Sequence, residues 1–62
     1  MTTEYAVEIY DKEHDKFLRQ IDVFNTYEEA TACATKGSFK FDKASEYVEI
    51  TTIEYDDDGN EI

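Results

Sequence analysis

The chain is short of positive charge. Its 62 residues hold 6 Lys and Arg against 16 Asp and Glu, a formal net charge of −10. After Lys43 there is no basic residue at all. That balance argues against nucleic acid or an anionic membrane as a direct partner. It suits a basic protein surface, and it also keeps a protein soluble. Cysteine is nearly absent: Cys33 stands alone, so no disulfide can form within the chain. A free thiol with no signal peptide points to a reducing, cytoplasmic setting. No apolar run approaches the roughly 20 residues a membrane span needs. Internal repeats, Gly-rich phosphate loops, Ser/His/Asp spacings and basic-aromatic patches are all lacking. Paired carboxylates are plentiful, but acid catalysis needs a cleft that shifts their pKa values, and a chain this small has little room for one. The sequence therefore reads as a non-enzymatic single small domain, 1–62, with no cofactor.

What is present is periodicity. Five Tyr and four Phe are spread through alternating segments, which argues against disorder. Tyr5 to Tyr10 alternates as a strand, with Tyr5, Val7 and Ile9 on one face and Ala6, Glu8 and Tyr10 on the other. The charged turn DKEHDK follows, and Phe17 to Phe24 reads as the return strand of a hairpin. Pairing Tyr5 with Val23 and Val7 with Ile21 would bring apolar residues together and leave Lys12 to Lys16 as the loop.

Asn25 to Gly37 is the segment with helical signals. Thr26 is a good N-cap, and Glu29 three residues on completes a capping box. Glu28 and Glu29 suit the positive end of the helix dipole; Lys36 suits the negative end. Gly37 offers a left-handed C-cap. The helix is expected over 27–36, with Tyr27, Ala30, Cys33 or Ala34 on its buried stripe. One or both of Phe39 and Phe41 in the following connection are expected to fold back over the end of the core. Glu46 to Tyr55, rich in β-branched and aromatic residues, is the longest strand signal. Its apolar parity changes between Val48/Ile50 and Ile53/Tyr55, which calls for a bulge near Thr51–Thr52 or for a second covered face. Asp56 to Ile62 is a turn-prone acidic tail expected to fray.

The order ββαβ with a crossover through the helix predicts an α+β fold: a three-stranded antiparallel sheet in order 2-1-3 with one helix on one face. The other face has nothing in the chain to cover it. In the parity above it receives Glu8, Asp22 and Glu49, with Tyr10, Leu18, Phe24, Tyr47 and Tyr55 among them. Glu46, Glu54, Asp56, Asp57, Asp58 and Glu61 extend the acid along and beyond the last strand. A solvated acidic surface would account for the charge; aromatics amid acid suit a protein-binding surface better. The candidate interaction residues are Glu8, Tyr10, Asp22, Tyr47, Glu49, Glu54, Tyr55 and Asp56 to Asp58. Crowded carboxylates also predict raised pKa values and a stability maximum near pH 5, an order-of-magnitude expectation. His14, alone in its turn, reads as a surface residue. Glu54-x-Asp56-x-Asp58-Gly59 echoes the start of a calcium loop but lacks the closing bidentate Glu, so no metal is expected.

The stretch Ile21 to Ala30, IDVFNTYEEA, followed by the strand around Tyr47 to Ile53, resembles small phage-encoded inhibitors of host enzymes. The T7-type inhibitors of bacterial RNA polymerase are the nearest family. The resemblance covers about half the chain and implies a small phage-encoded inhibitor; the acidic face, by electrostatic complementarity, suggests separately that it occupies a basic, nucleic-acid-binding site of a host protein as a DNA mimic. That family uses arginines at its contact surface. The last strand here has none, so the target does not carry over. A homodimer formed through the open sheet face is the alternative expectation.

Overall fold

A computed structural model describes residues 1–37 and 39–62; Ser38, the start of the expected connection, lies outside the described residues. Strand β1 spans Thr2–Asp11, β2 Lys16–Phe24, helix α1 Tyr27–Lys36 and β3 Glu46–Tyr55. The three strands form one antiparallel sheet in order β2-β1-β3, with the single helix packed across one side: the α+β fold expected from the order of elements.

The β1–β3 ladder runs in unbroken register from Thr2↔Tyr55 to Asp11↔Glu46. The bulge expected near Thr51–Thr52 is therefore not there. Val48 and Ile50 pair with Ile9 and Val7, and Ile53 and Tyr55 pair with Glu4 and Thr2. Because side chains alternate between faces, these two apolar pairs serve opposite sides of the sheet. The irregularity sits in β2 instead. Tyr5 pairs with Phe24 and Val7 with Asp22, one residue off the expected register. Shifts between Val7/Glu8 and Ile9/Tyr10 then leave Ile21 and Leu18 without partners, as bulges. The hairpin turn is Lys12 to Asp15, closed by the Asp11↔Lys16 pair, with Asp15 at φ 52°. Asp11 ties this turn by accepting from the Glu13 amide at 3.0 Å and lying 2.8 Å from His14 Nδ1.

At α1 the cap is in place. Thr26 Oγ1 accepts from the Glu29 amide at 3.2 Å, and the same hydroxyl donates to the Glu29 carboxylate at 2.9 Å. Glu29 thus takes the hydroxyl proton rather than reaching for the backbone. The C-cap differs from expectation. Gly37 is extended (φ −64°, ψ 154°), not left-handed, and its amide donates to Cys33 O at 2.8 Å. Glycine is required there by space: a Cβ would collide with the Cys33 carbonyl and lie 2.7 Å from the Phe39 ring. Tyr27, expected to be buried, is 56% exposed and touches the sheet edge-on through Tyr5, ring centroids 5.8 Å apart.

The fully buried core is Ala6, Val7, Ile9 and Ala30. Val7 and Ile9 lie under the helix; Ala30, a small side chain, lets α1 come close. Phe39 and Phe41 stack at 5.9 Å and are both half-buried, as the fold-back expectation requires. The connection is pinned from β2 by Arg19, which donates to Lys40 O at 3.0 Å and to Glu46 at 3.4 Å. Lys12 Nζ holds Lys43 O at 2.7 Å from the hairpin turn. The molecule is thin, 40 × 25 × 12 Å, with a radius of gyration of 12.7 Å. A compact chain of this length would have about 10.6 Å. Its accessible surface is 4526 Å², against roughly 4100 Å² for a typical monomer of its mass.

Candidate protein-interaction face

The side of the sheet away from α1 is set by the pairing. β1 contributes Glu4, Ala6, Glu8 and Tyr10; β3 contributes Tyr47, Glu49, Thr51, Ile53 and Tyr55; β2 contributes Phe17, Gln20 and Val23. Ala6, between Val23 and Thr51, is fully buried even on this open side. It forms a floor between taller neighbours.

One end of the face is aromatic. Tyr10 stacks on Tyr47 with ring centroids 5.6 Å apart and planes 21° from parallel, and Phe17 meets Tyr10 edge-on at 5.8 Å. Such offset and edge-on pairs are favourable beyond the area they bury. Phe17 remains 47% exposed. The phenol of Tyr47 donates to the Asp15 carboxylate across the hairpin turn. That hydrogen bond, with partial burial and the charges of Asp15 and Glu49, pushes the Tyr47 pKa up to about 12.

Next to the aromatic end lies a carboxylate network. Glu8 Oε1 accepts from Thr51 Oγ1 at 2.7 Å and from Tyr10 Oη at 3.1 Å. The hydroxyl of Thr51 acts to lower the Tyr10 pKa; Glu8 as acceptor, burial and the charges of Glu8 and Glu49 outweigh it, and the pKa rises. Tyr55 at the far end is raised as well, by burial and then by Glu4. The face thus sets phenols of raised pKa beside carboxylates. Glu49, opposite Glu8, is exposed.

Of the expected interaction residues, Glu8, Tyr10, Tyr47, Glu49 and Tyr55 come together on this face. Asp22 does not: it pairs with Val7 and lines a groove beside α1 with Ile21, Phe24 and Cys33, because the β2 register is one residue off. Phe24 follows it, opposite Tyr5. Leu18 is a bulge residue, 41% exposed. Glu54 pairs with Thr3 and alternates onto the helix side. Asp56, Asp57 and Asp58 belong to a turn beyond β3. Fraying is the sequence expectation for this tail; in the structure Asp56 Oδ1 accepts from the amides of Asp58 and Asn60, both at 2.9 Å, and Gly59 takes φ 85°. The chain then turns back, Glu61 bridging Tyr55 and the Ile62 amide donating to Glu54 O at 2.8 Å. Sequence reasoning missed Glu4, Asp15, Phe17, Thr51 and Ile53. Only the cross-strand register could have placed them.

Positive charge is kept off the open side of the sheet. Lys16 and Arg19 pair with Asp11 and Ile9, on the helix side; Lys36 is in α1, Lys40 and Lys43 in the connection, and Lys12 in the hairpin turn. Among the described residues, none of the six basic side chains belongs to the open face. The pKa of Asp11 is lowered by its bonds to His14 and the Glu13 amide. That is opposite in direction to the crowding expected from the sequence. Among the described residues no three His, Cys, Asp or Glu converge as a metal site, and no helix is long and apolar enough to cross a membrane.

The fold and face together define a small α+β chain with an open, acidic and aromatic sheet surface. No family model matches the chain, and neither a curated protein nor a solved structure matches it.

Proposed function

We propose that the chain is a small acidic protein-binding module whose open sheet face occupies a basic site on a partner. In this reading it is a phage or mobile-element inhibitor, a DNA mimic acting in the cytoplasm, that fills a nucleic-acid-binding site of a host protein. The observation that supports it is the sign of the charge on the open side of the sheet, which, among the described residues, carries Glu4, Glu8 and Glu49 among aromatics and neither Lys nor Arg. Such a surface steers a basic partner into fast, salt-sensitive association. Tyr10, Tyr47 and Phe17 supply rigid apolar anchors of the kind that carry binding energy at the centre of an interface. Glu49 and Glu4 supply the charge. Glu8 is already bonded to Thr51 and Tyr10 and acts more as a brace than as a free charge.

The test is capture from bacterial lysate at low and high salt, followed by direct binding to the identified protein. Glu49→Lys and Glu4→Lys together should abolish binding, and high salt should weaken it. Retained binding by the double variant would reject the reading. A second reading is a homodimer through the same face, favoured by the thinness of the molecule and its exposed aromatics. Sedimentation at two salt concentrations decides between them: the dimer requires association that strengthens as salt screens the negative charge.

A further inference from the structure

The sheet has two edges, and they are built differently. β2 is broken by bulges at Ile21 and Leu18 and carries Lys16 and Arg19. Those are the devices that keep an edge strand from pairing further. β3 has none of them. Its ten residues, Glu46–Tyr55, run in unbroken register with β1 and contain neither Lys, Arg nor Pro.

The direction of its free backbone groups is on display at both ends. The Glu46 amide donates to Asp42 O at 2.7 Å, and Glu54 O accepts from the Ile62 amide at 2.8 Å; both bonds lie outside the β1 ladder. In an antiparallel strand every second residue points its N–H and C=O the same way. Val48, Ile50 and Thr52, between those two, therefore direct their N–H and C=O outward. The chain's own tail already uses this edge as a strand partner, through Tyr55↔Glu61, but only at its end. Beside the remaining edge runs a shallow groove on the helix side, walled by Tyr27, Ala34, Val48 and Ile50. On the open side of the same edge stands Glu49.

We propose that the outer edge of β3 is a docking strand for an extended segment of the partner protein in which Lys or Arg alternates with apolar residues. This rests on the reading of the chain as an acidic protein-binding module and specifies how the partner is held. The segment adds as a fourth strand, bonded to the backbone of Val48, Ile50 and Thr52. Alternation sends its apolar side chains into the groove beside Tyr27 and its cations to the open side, next to Glu49. Charge disfavours a second copy paired centrally on this edge. An antiparallel pairing of two β3 strands centred on Ile50 sets Glu46 against Glu54 twice, and like charges directly opposite are destabilising.

The test is an NMR titration of the full chain with a short synthetic peptide in which Lys alternates with Val. The expected result is shifted and exchange-protected amides at Val48, Ile50 and Thr52. A peptide N-methylated at two of the bonding amides should bind about thirtyfold more weakly, since it forfeits two hydrogen bonds. A Glu-Val peptide should not bind. Thr52→Pro, which removes one outward N–H and leaves the β1 ladder whole, should weaken binding in parallel. The proposal is overturned if no Lys-Val peptide binds, if N-methylation makes no difference, or if the Glu-Val peptide binds equally. It is also overturned if cross-peaks join two copies of β3. Shifts confined to Tyr10, Phe17 and Glu4 with no effect of N-methylation would sink the edge and leave the face reading standing. Edge protection by the Lys-Val peptide, with the captured partner still bound by the Glu4→Lys, Glu49→Lys variant, would do the reverse.

Discussion

Replacing Ile9 tests the core most directly. Ile9 is fully buried on the central strand, between Val48 on one side and Arg19 on the other, under the helix. Ile9→Val removes one methylene and should cost about 1 kcal/mol; Ile9→Ala should cost about 3 kcal/mol, transfer plus cavity. The total available is small. At 0.05–0.15 kcal/mol per residue, a domain of this length holds roughly 3–9 kcal/mol, and a surface larger than typical places it in the lower half. Urea unfolding followed by far-ultraviolet circular dichroism and tyrosine fluorescence is the assay. With a slope of about 1 kcal/mol/M for so small a domain, Ile9→Val should lower the midpoint by about 1 M. Ile9→Ala should lower it by about 3 M, a large share of the total. Ile53, half-buried on the open side, is the paired control, and Ile53→Ala should cost about 1 kcal/mol or less. A midpoint for Ile9→Ala within about 0.5 M of the parent would refute the assignment of the core to the helix side. Equal losses for Ile9→Ala and Ile53→Ala would mean that the open face is itself covered in solution.

Thr26→Ala should lose about 1 kcal/mol through the vacated N-cap, read as a lower helical signal and midpoint. Gly37→Ala should be costlier than an ordinary surface substitution, because its Cβ meets the Cys33 carbonyl and the Phe39 ring; an unchanged midpoint would show that the connection does not pack there. The folded pKa of Tyr47 lies above its ordinary 10.0, at about 12, so its contribution to stability is complete below pH 10 and fades as pH rises through 12. Phenolate absorbance should show Tyr10, Tyr47 and Tyr55 titrating late, with the component near pH 12 absent in Tyr47→Phe. For Asp11 the sign is reversed: its lowered pKa adds stability above the ordinary 3.8, lost as pH falls through the folded value, and His14→Ala should diminish that acid sensitivity.

The parts of the fold legible from sequence were those governed by neighbours in the chain. Thr26 and Glu29 fix the start of α1 through a bond three residues long, and alternation in β1 assigns Val7 and Ile9 to one side and Glu8 and Tyr10 to the other. Strand order followed from the order of elements. Register did not, because it depends on bulges: Ile21 and Leu18 are apolar residues in an apolar run, and nothing local marks them as unpaired. That slip of one residue moves Asp22 and Phe24 from the open face, where alternation alone puts them, to the other. The parity change in β3 had two explanations, a bulge or two faces in use, and sequence could not choose between them. Glycine at position 37 announced a helix end, but the reason for it, a close approach by Phe39, is a tertiary contact.

The placement of β1 between two partners has a consequence for the order in which the molecule can be built. Its pairing with β2 needs only a short hairpin, whereas Tyr10 and Tyr47, or Thr2 and Tyr55, must find each other across the helix and its connection. Closing long loops before any contact rewards them makes such pairings slow. During synthesis β1 emerges first and is enclosed last. Until β3 arrives, the side of Val7 and Ile9 that Ile50 and Val48 will cover stays open, next to a bare backbone edge. The growing chain therefore passes through a stage in which its most buried strand is its most exposed one. At that stage the chain holds nine of its sixteen carboxylates and all six of its basic residues, a net charge of only −3, so most of the charge that repels a second chain arrives with β3 and the tail.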